Sequence, residues 1–184
     1  THLDGARQLY SELKNTYSVA HADETRARTF LAAGRLTDAE RIIRSAVRVL
    51  ERGDEKAALA EALTTFGTVK ARLGKFVRAR QLLDRAIEIS ETCGDLEGAG
   101  RAKLSVIEEL TAQTSPLELA DTYETATELL KKSQDPTTTS RLNRAGMIVI
   151  GVLRGNDQEP PAPAESWDNF SLKREVRAFE KSLI

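Results

Sequence analysis

The sequence predicts an all-α chain of stacked helical hairpins, and three observations carry that prediction. Aromatic residues make up only 5% of the 184 positions, and the alternation of β-branched residues that marks strands is missing. The chain matches itself at a step of 40 residues, a period in the range that signals repeated supersecondary units. Glycines fall in register with that step, where each helix must end.

The repeat is visible residue by residue. The step takes Gly34 to Gly74 and Thr114, Ala39 to Ala79 and Leu119, and Ala46 to Ala86 and Ala126. It links Ala22, Ala62, Ala102 and Leu142, and it links Val49, Ile89 and Leu129. Asp54 slips by one to Asp95, after which Asp135 is back in step. Leu36, Ile42, Ile43 and Val47 match Phe76, Leu82, Leu83 and Ile87, so the apolar face recurs along with the small residues.

Taken in order, the chain opens on Leu3, Asp4 and Ala6, which lie 80 residues before Leu83, Asp84 and Ala86. It is therefore expected to begin inside the second helix of an earlier, incomplete unit, as a piece of something longer. Each full unit reads as helix A, a glycine turn, and helix B. In the second unit, helix A is expected over 55–73 and helix B over 76–92. Gly34, Gly53, Gly74 and Gly94 are each expected to supply the left-handed residue that closes a helix. Gly67 and Ala79 mark where the two helices of the hairpin approach closely, and Ala86 lets the next unit pack. A fourth unit offers only helix A before Leu153, so its open side must be hidden by a later segment or by a second chain.

These residues resemble the tetratricopeptide repeat. Gly67, Gly74, Phe76, Ala79, Leu83 and Ala86 stand at the spacings of that motif's small, glycine, aromatic, alanine, large and alanine positions. The match is good over 26–50 and 60–89 and weaker in the third unit. The usual Trp and Tyr of helix A are absent, with Leu63 at the first site, and no proline ends helix B. A period of 40 is similar to the longer-helix variety of bacterial regulators. The resemblance implies a right-handed α-solenoid over 1–153, partial at both ends.

Past Leu153 the composition changes. Residues 154–166 form a proline-rich linker. Residues 167–184 follow as an amphipathic helix, with Ser171 as its N-cap and Leu172, Val176, Phe179 and Leu183 as its apolar stripe. The string FSLKREVRAFEKSLI resembles the lead-in helix of Fis-type helix-turn-helix domains, which implies a DNA-reading pair beyond Ile184.

Composition excludes several functions. Lys and Arg number 27 against 28 Asp and Glu, leaving a net charge of -1, without the basic excess that general nucleic-acid binding needs. Cys93 is the single cysteine, so no intrachain disulfide forms, and a reducing, cytoplasmic setting is expected. The longest apolar run, Ala145 to Leu153, is about half of the ~20 residues that span a bilayer. His2 and His21 are the only histidines, and with Asp23 and Glu24 they offer no metal constellation. Adjacent carboxylates such as Glu108 and Glu109 point about 100° apart on a helix, and no phosphate-cradling glycine loop is present. No catalytic site, metal or cofactor is expected, and the chain reads as a non-enzyme.

In the tetratricopeptide family the inner wall is made by helix A residues that face away from helix B. The resemblance therefore implies a partner-binding groove lined by His21, Glu24, Arg28, Glu61, Thr64, Thr68, Arg101, Leu104, Glu108, Arg141 and Arg144. Glu24, Thr64 and Leu104 replace the cations and amides of the family's carboxylate clamp, which argues against a co-chaperone. Arg101, Arg141 and Arg144 would form a basic end able to bind carboxylate or phosphate; alternatively they are solvated arginines on a helix face. The implied function is a protein- or peptide-binding module, the partner-docking part of a bacterial cytoplasmic transcription regulator, which touches nucleic acid only beyond Ile184. The alternative is a stand-alone scaffold or homodimer with a C-terminal docking helix.

Overall fold

A computed structural model describes residues 16–155, together with Gly5, residues 8–10 and Glu12. The N-terminal half-unit thus lies largely outside the described residues, as do the rest of the linker and the amphipathic segment at 167–184. Among the described residues 16–155, seven α-helices follow one another: α1 Thr16–Ala32, α2 Leu36–Leu50, α3 Lys56–Arg72, α4 Phe76–Cys93, α5 Leu96–Leu110, α6 Pro116–Leu130 and α7 Pro136–Leu153. A 3-10 turn, Thr111–Gln113, precedes α6. Helices α1, α3, α5 and α7 are the A helices, and α2, α4 and α6 the B helices.

The B helices show why these residues fold so. In α2, Ile42, Ile43, Ala46, Val47 and Leu50 are buried at helical spacing, while Arg41, Arg44, Ser45 and Arg48 are exposed. One stripe faces the core and the other water. The inner A helices α3 and α5 are buried on more than one side, because each packs on its hairpin partner and on the units before and after it. In α3 this covers Leu59, Ala60, Ala62, Leu63, Phe66 and Val69. The core is correspondingly continuous. Ile43, Ala46, Leu63, Phe66, Leu82, Ala86 and Ala102 join the first three units, and Leu104, Ile107, Leu119, Leu130, Ala145 and Val149 join the last two.

The turns separate the units into two kinds. Gly34, Gly74 and Gly94 have φ of 72°, 72° and 78°, and the following amides, Arg35, Lys75 and Asp95, donate back to Phe30, Lys70 and Ser90 carbonyls at 2.8 to 2.9 Å. The third unit has Thr114 where glycine stood. Thr114 is extended at φ -119°, and the chain turns through the 3-10 segment instead. Ser115 then caps α6 by accepting from the Glu118 amide, with Pro116 in the first turn, where its missing N–H costs nothing. Asp135 does the same for α7, accepting from Thr137 and Thr138 ahead of Pro136.

Gly53 corrects the expectation that all four glycines are left-handed closures, since it is not among the positive-φ residues. Its small size is used for packing. A Cβ there would lie 2.2 Å from Tyr17 Cε1, so the Tyr17 ring occupies the space a side chain would fill.

At Gly67 the expected close approach is present. A Cβ would lie 2.7 Å from Leu83 Cγ and 3.3 Å from the Ala79 carbonyl oxygen. Leu83 and Ala79 are fully buried, so neither can withdraw. Gly67→Val is expected to destabilise the chain by about 1–3 kcal/mol through overpacking, read as a lowered urea midpoint. An unchanged midpoint would show that the α3–α4 contact is loose.

Candidate groove on the A helices

The A helices expose one common face. A groove of about 550 Å³ runs along it and takes lining from all four of them. Eight of the expected residues line it: Arg28, Glu61, Thr64, Thr68, Arg101, Glu108, Arg141 and Arg144. Translation by the period missed Arg72 and Glu109, which also line it. Arg72 lies one turn beyond Thr68, and Glu109 one turn beyond Ser105, another lining residue that the transferred positions left out.

Three expected residues lie elsewhere. Leu104 is fully buried among Leu119, Leu130 and Val149, because the one-residue slip that takes Asp54 to Asp95 also takes the core residue Leu63 to Leu104. Glu24 is buried as well; its Oε1 accepts from the Thr65 hydroxyl at 2.7 Å and lies 3.9 Å from Arg28 Nε. It braces α1 against α3 and is absent from the groove lining. His21 Nε2 sits 2.9 Å from Glu55 Oε2, joining α1 to the start of α3.

The groove's charges are arranged in cross-helix pairs. Arg28 reaches Glu61 at 3.4 Å, and Arg72 grips Glu109 through Nε and Nη2 at 3.0 and 2.8 Å. Arg141 grips Glu108 at 2.8 to 3.2 Å and also donates to the Ser105 hydroxyl at 2.9 Å. Arg144 donates to the same Glu108 at 2.9 Å, and Arg101 stands 3.7 Å from Glu97. Arg101, Arg141 and Arg144 are thus neither a bare basic end nor merely solvated, since one carboxylate, itself largely buried, holds two of them. Five arginines against three glutamates in the lining still leave it net positive by two. Arg28 and Arg144, with side chains 60% and 59% exposed, offer donors to a ligand.

Burial pushes the Glu24 carboxyl above its usual range, opposed by the Thr65 hydrogen bond and by Arg28. An acid whose folded value is raised is less costly to the native state when protonated, so its penalty is absent below the unfolded value and sets in as pH rises through the folded one. Glu24→Gln keeps an acceptor for Thr65 and carries no charge. It is expected to flatten the decline in stability between pH 4 and pH 8, measured by urea unfolding at each pH. Parallel profiles for parent and variant would place that decline elsewhere.

Among the described residues no group of three His, Cys, Asp or Glu is placed to hold a metal ion, and no helix is long and apolar enough to cross a membrane. The Cys93 thiol ends α4 and lies 3.5 Å from the Ser90 carbonyl, to which it donates.

Residues 18–92 match the family model described as tetratricopeptide repeat. No curated protein shows a significant match to the chain. The matched stretch spans α1 to α4, the two hairpins in which the motif's glycines and alanines are clearest, and repeats of this kind generally mediate protein–protein interaction. The chain is an all-α, tetratricopeptide-like solenoid whose first two described hairpins carry that repeat.

Proposed function

We propose that the A-helix groove binds an extended segment of a protein partner bearing carboxylates, as the partner-docking part of a bacterial cytoplasmic transcription regulator. The observation that carries the binding reading is the groove itself, with guanidinium groups of Arg28 and Arg144 exposed at its two ends and the hydroxyls of Thr64 and Thr68 between them. Arginine suits this role because its planar fork meets carboxylate bidentately. The regulator context is supported by the resemblance of residues 170–184 to a helix-turn-helix lead-in. Occupancy would alter the spacing of successive A helices and so the placement of whatever follows α7.

A photo-crosslinking residue at Thr68 in the full chain tests the groove. Capture of a protein that is lost in Arg28→Glu and Arg144→Glu variants is expected; capture unaffected by both reversals would remove the groove from the interaction. Reading the parent chain past Ile184 tests the regulator. A turn followed by a second, basic helix is expected, and a different kind of region would overturn it.

A second reading, self-docking of residues 167–184, is favoured by α7. Met147 and Ile150 are half-exposed, and nothing lies within 4 Å of a Cβ built on Gly151. Deleting 167–184 would then raise binding of an apolar dye, and an unchanged signal would count against it.

A further inference from the structure

The B helices form a second wall, opposite in use to the groove, and its charge changes sign along the array. The 40-residue step relates Arg41 to Gln81 and Asp121, Arg44 to Asp84 and Glu124, and Arg48 to Glu88 and Glu128. All nine residues are exposed. The outer stripe of α2 is therefore basic at three successive helical positions, that of α4 is polar to acidic, and that of α6 is acidic at all three. The wall is continuous, because Arg85 of α4 bonds Glu51 at the end of α2 at 2.6 Å and Arg80 of α4 bonds Glu118 of α6 at 2.6 Å.

Intrachain pairing takes only part of these charges, holding Arg44 to Glu40, Asp84 to Arg80 and Glu128 to Lys131. Among the described residues Arg48 has no ion pair, and neither do Asp121 and Glu124; Arg41 has only Asp38, at 3.7 Å. The shapes also differ. The acidic end holds a groove of about 420 Å³ between α4 and α6, with Asp84, Glu88, Glu91, Glu118 and Asp121 set against Arg80 and Lys103. The basic end sets Arg41, Arg44 and Arg48 around a smaller space of about 350 Å³ on one helix.

We propose that this wall is a self-association surface: the arginine stripe of α2 in one copy seats on the acidic groove beside α6 in a second copy. Two different patches meet in such a contact, so the second copy keeps its own α2 free for a third, and association runs head to tail. Surface ion pairs are individually weak and screened by salt, so the assembly is dilute-labile and strongly dependent on ionic strength. It does not use the A-helix groove, so the groove reversals Arg28→Glu and Arg144→Glu leave it unchanged.

The test is sedimentation velocity on the full chain with two reversal variants, Arg41→Glu/Arg48→Glu and Asp121→Lys/Glu124→Lys. Arg44 and Glu128 are left alone, because Arg44 holds Glu40 and Glu128 holds Lys131. Helicity by circular dichroism checks that each variant folds; should one lose it, the single pair Arg48→Glu and Glu124→Lys replaces it. At about 0.01 M salt, where charges act over ~30 Å, the parent is expected to show an average mass that keeps rising with concentration, past that of two chains, and to return to one chain at about 1 M, where they act over ~3 Å. Each variant alone is expected to stay a single chain at low salt, and an equimolar mixture of the two to associate again, because the unaltered α2 of one variant meets the unaltered groove of the other and the two reversed patches also complement each other. A parent that stays single at low salt overturns the proposal, as does association in either variant alone or a mixture that remains dissociated.

Discussion

Replacing Leu63 by alanine is expected to lower the unfolding free energy by about 2–5 kcal/mol, the range for truncating a fully buried leucine whose cavity cannot collapse. Leu63 is completely buried and shares its cluster with Ile43 and Leu50 of α2, Leu82 and Ala86 of α4, and Ala102 of α5. Its removal therefore weakens the hairpin's own α3–α4 contact and the contacts with the units before and after it. A domain holds only about 5–15 kcal/mol in all, so the urea midpoint should fall by a large fraction while the slope changes little. Thr64, the next residue, faces the groove, and Thr64→Ala is the matched control. Equal losses at the two positions would mean that α3 is rotated from the orientation described.

Glu40→Ala is expected to cost about 3–5 kcal/mol, because it strands a buried cation. The Lys70 ammonium, with a side chain 9% exposed, donates to Glu40 Oε1 at 2.6 Å and lies over the Phe66 ring at 5.2 Å. Arg44 and Lys75 reach the same carboxylate from its outer side. Replacing both partners, as Glu40→Leu with Lys70→Met, should recover most of the loss, since an apolar pair of similar size needs no charge compensation. The pH dependence has a definite sign. The Lys70 hydrogen bond holds the Glu40 carboxyl below its usual range against the opposing effect of burial. Its contribution is therefore complete above the unfolded value and is lost as pH falls through the lowered folded value. Parent stability should drop on acidification more steeply than that of Glu40→Leu/Lys70→Met, and coincident acid profiles would refute the assignment. Glu24 acts in the opposite direction, its contribution falling as pH rises whereas that of Glu40 grows.

The hairpins were legible in the sequence because their requirements are local and recurrent. A glycine at 34 and 74, a small residue where helices cross, and apolar pairs such as Ile42 with Ile43 repeat at one step. The second unit's helices accordingly begin and end within one residue of the expected bounds. What the sequence hid depends on rotation and partners. Gly53 looks like its neighbours in the alignment, yet its role is set by Tyr17, about one unit back, which no period announces. Leu104 and Thr64 share a repeat position, but the slip at Asp95 turns one inward and leaves the other in the groove. Glu24 reads as a surface acid on a polar helix, and only the fold brings Thr65 against it. The arginines at 101, 141 and 144 line one groove; that Glu108 holds two of them is a tertiary fact, since the pairs span more than 30 residues.

The cross-helix pairs also bear on how the solenoid deforms. Arg28–Glu61, Arg72–Glu109 and Arg141–Glu108 each join one A helix to the next, so the inner surface is strung with electrostatic tethers while the interior is filled by incompressible apolar packing. An array in which every unit touches only its neighbours bends as a leaf spring, with a stiffness that is a property of its inner edge. Salt, or a ligand carboxylate that draws one arginine away from its glutamate, slackens that edge without melting a helix. A change of curvature with intact hairpins is the expected result of raised salt, read as a shift in small-angle X-ray scattering at constant helicity.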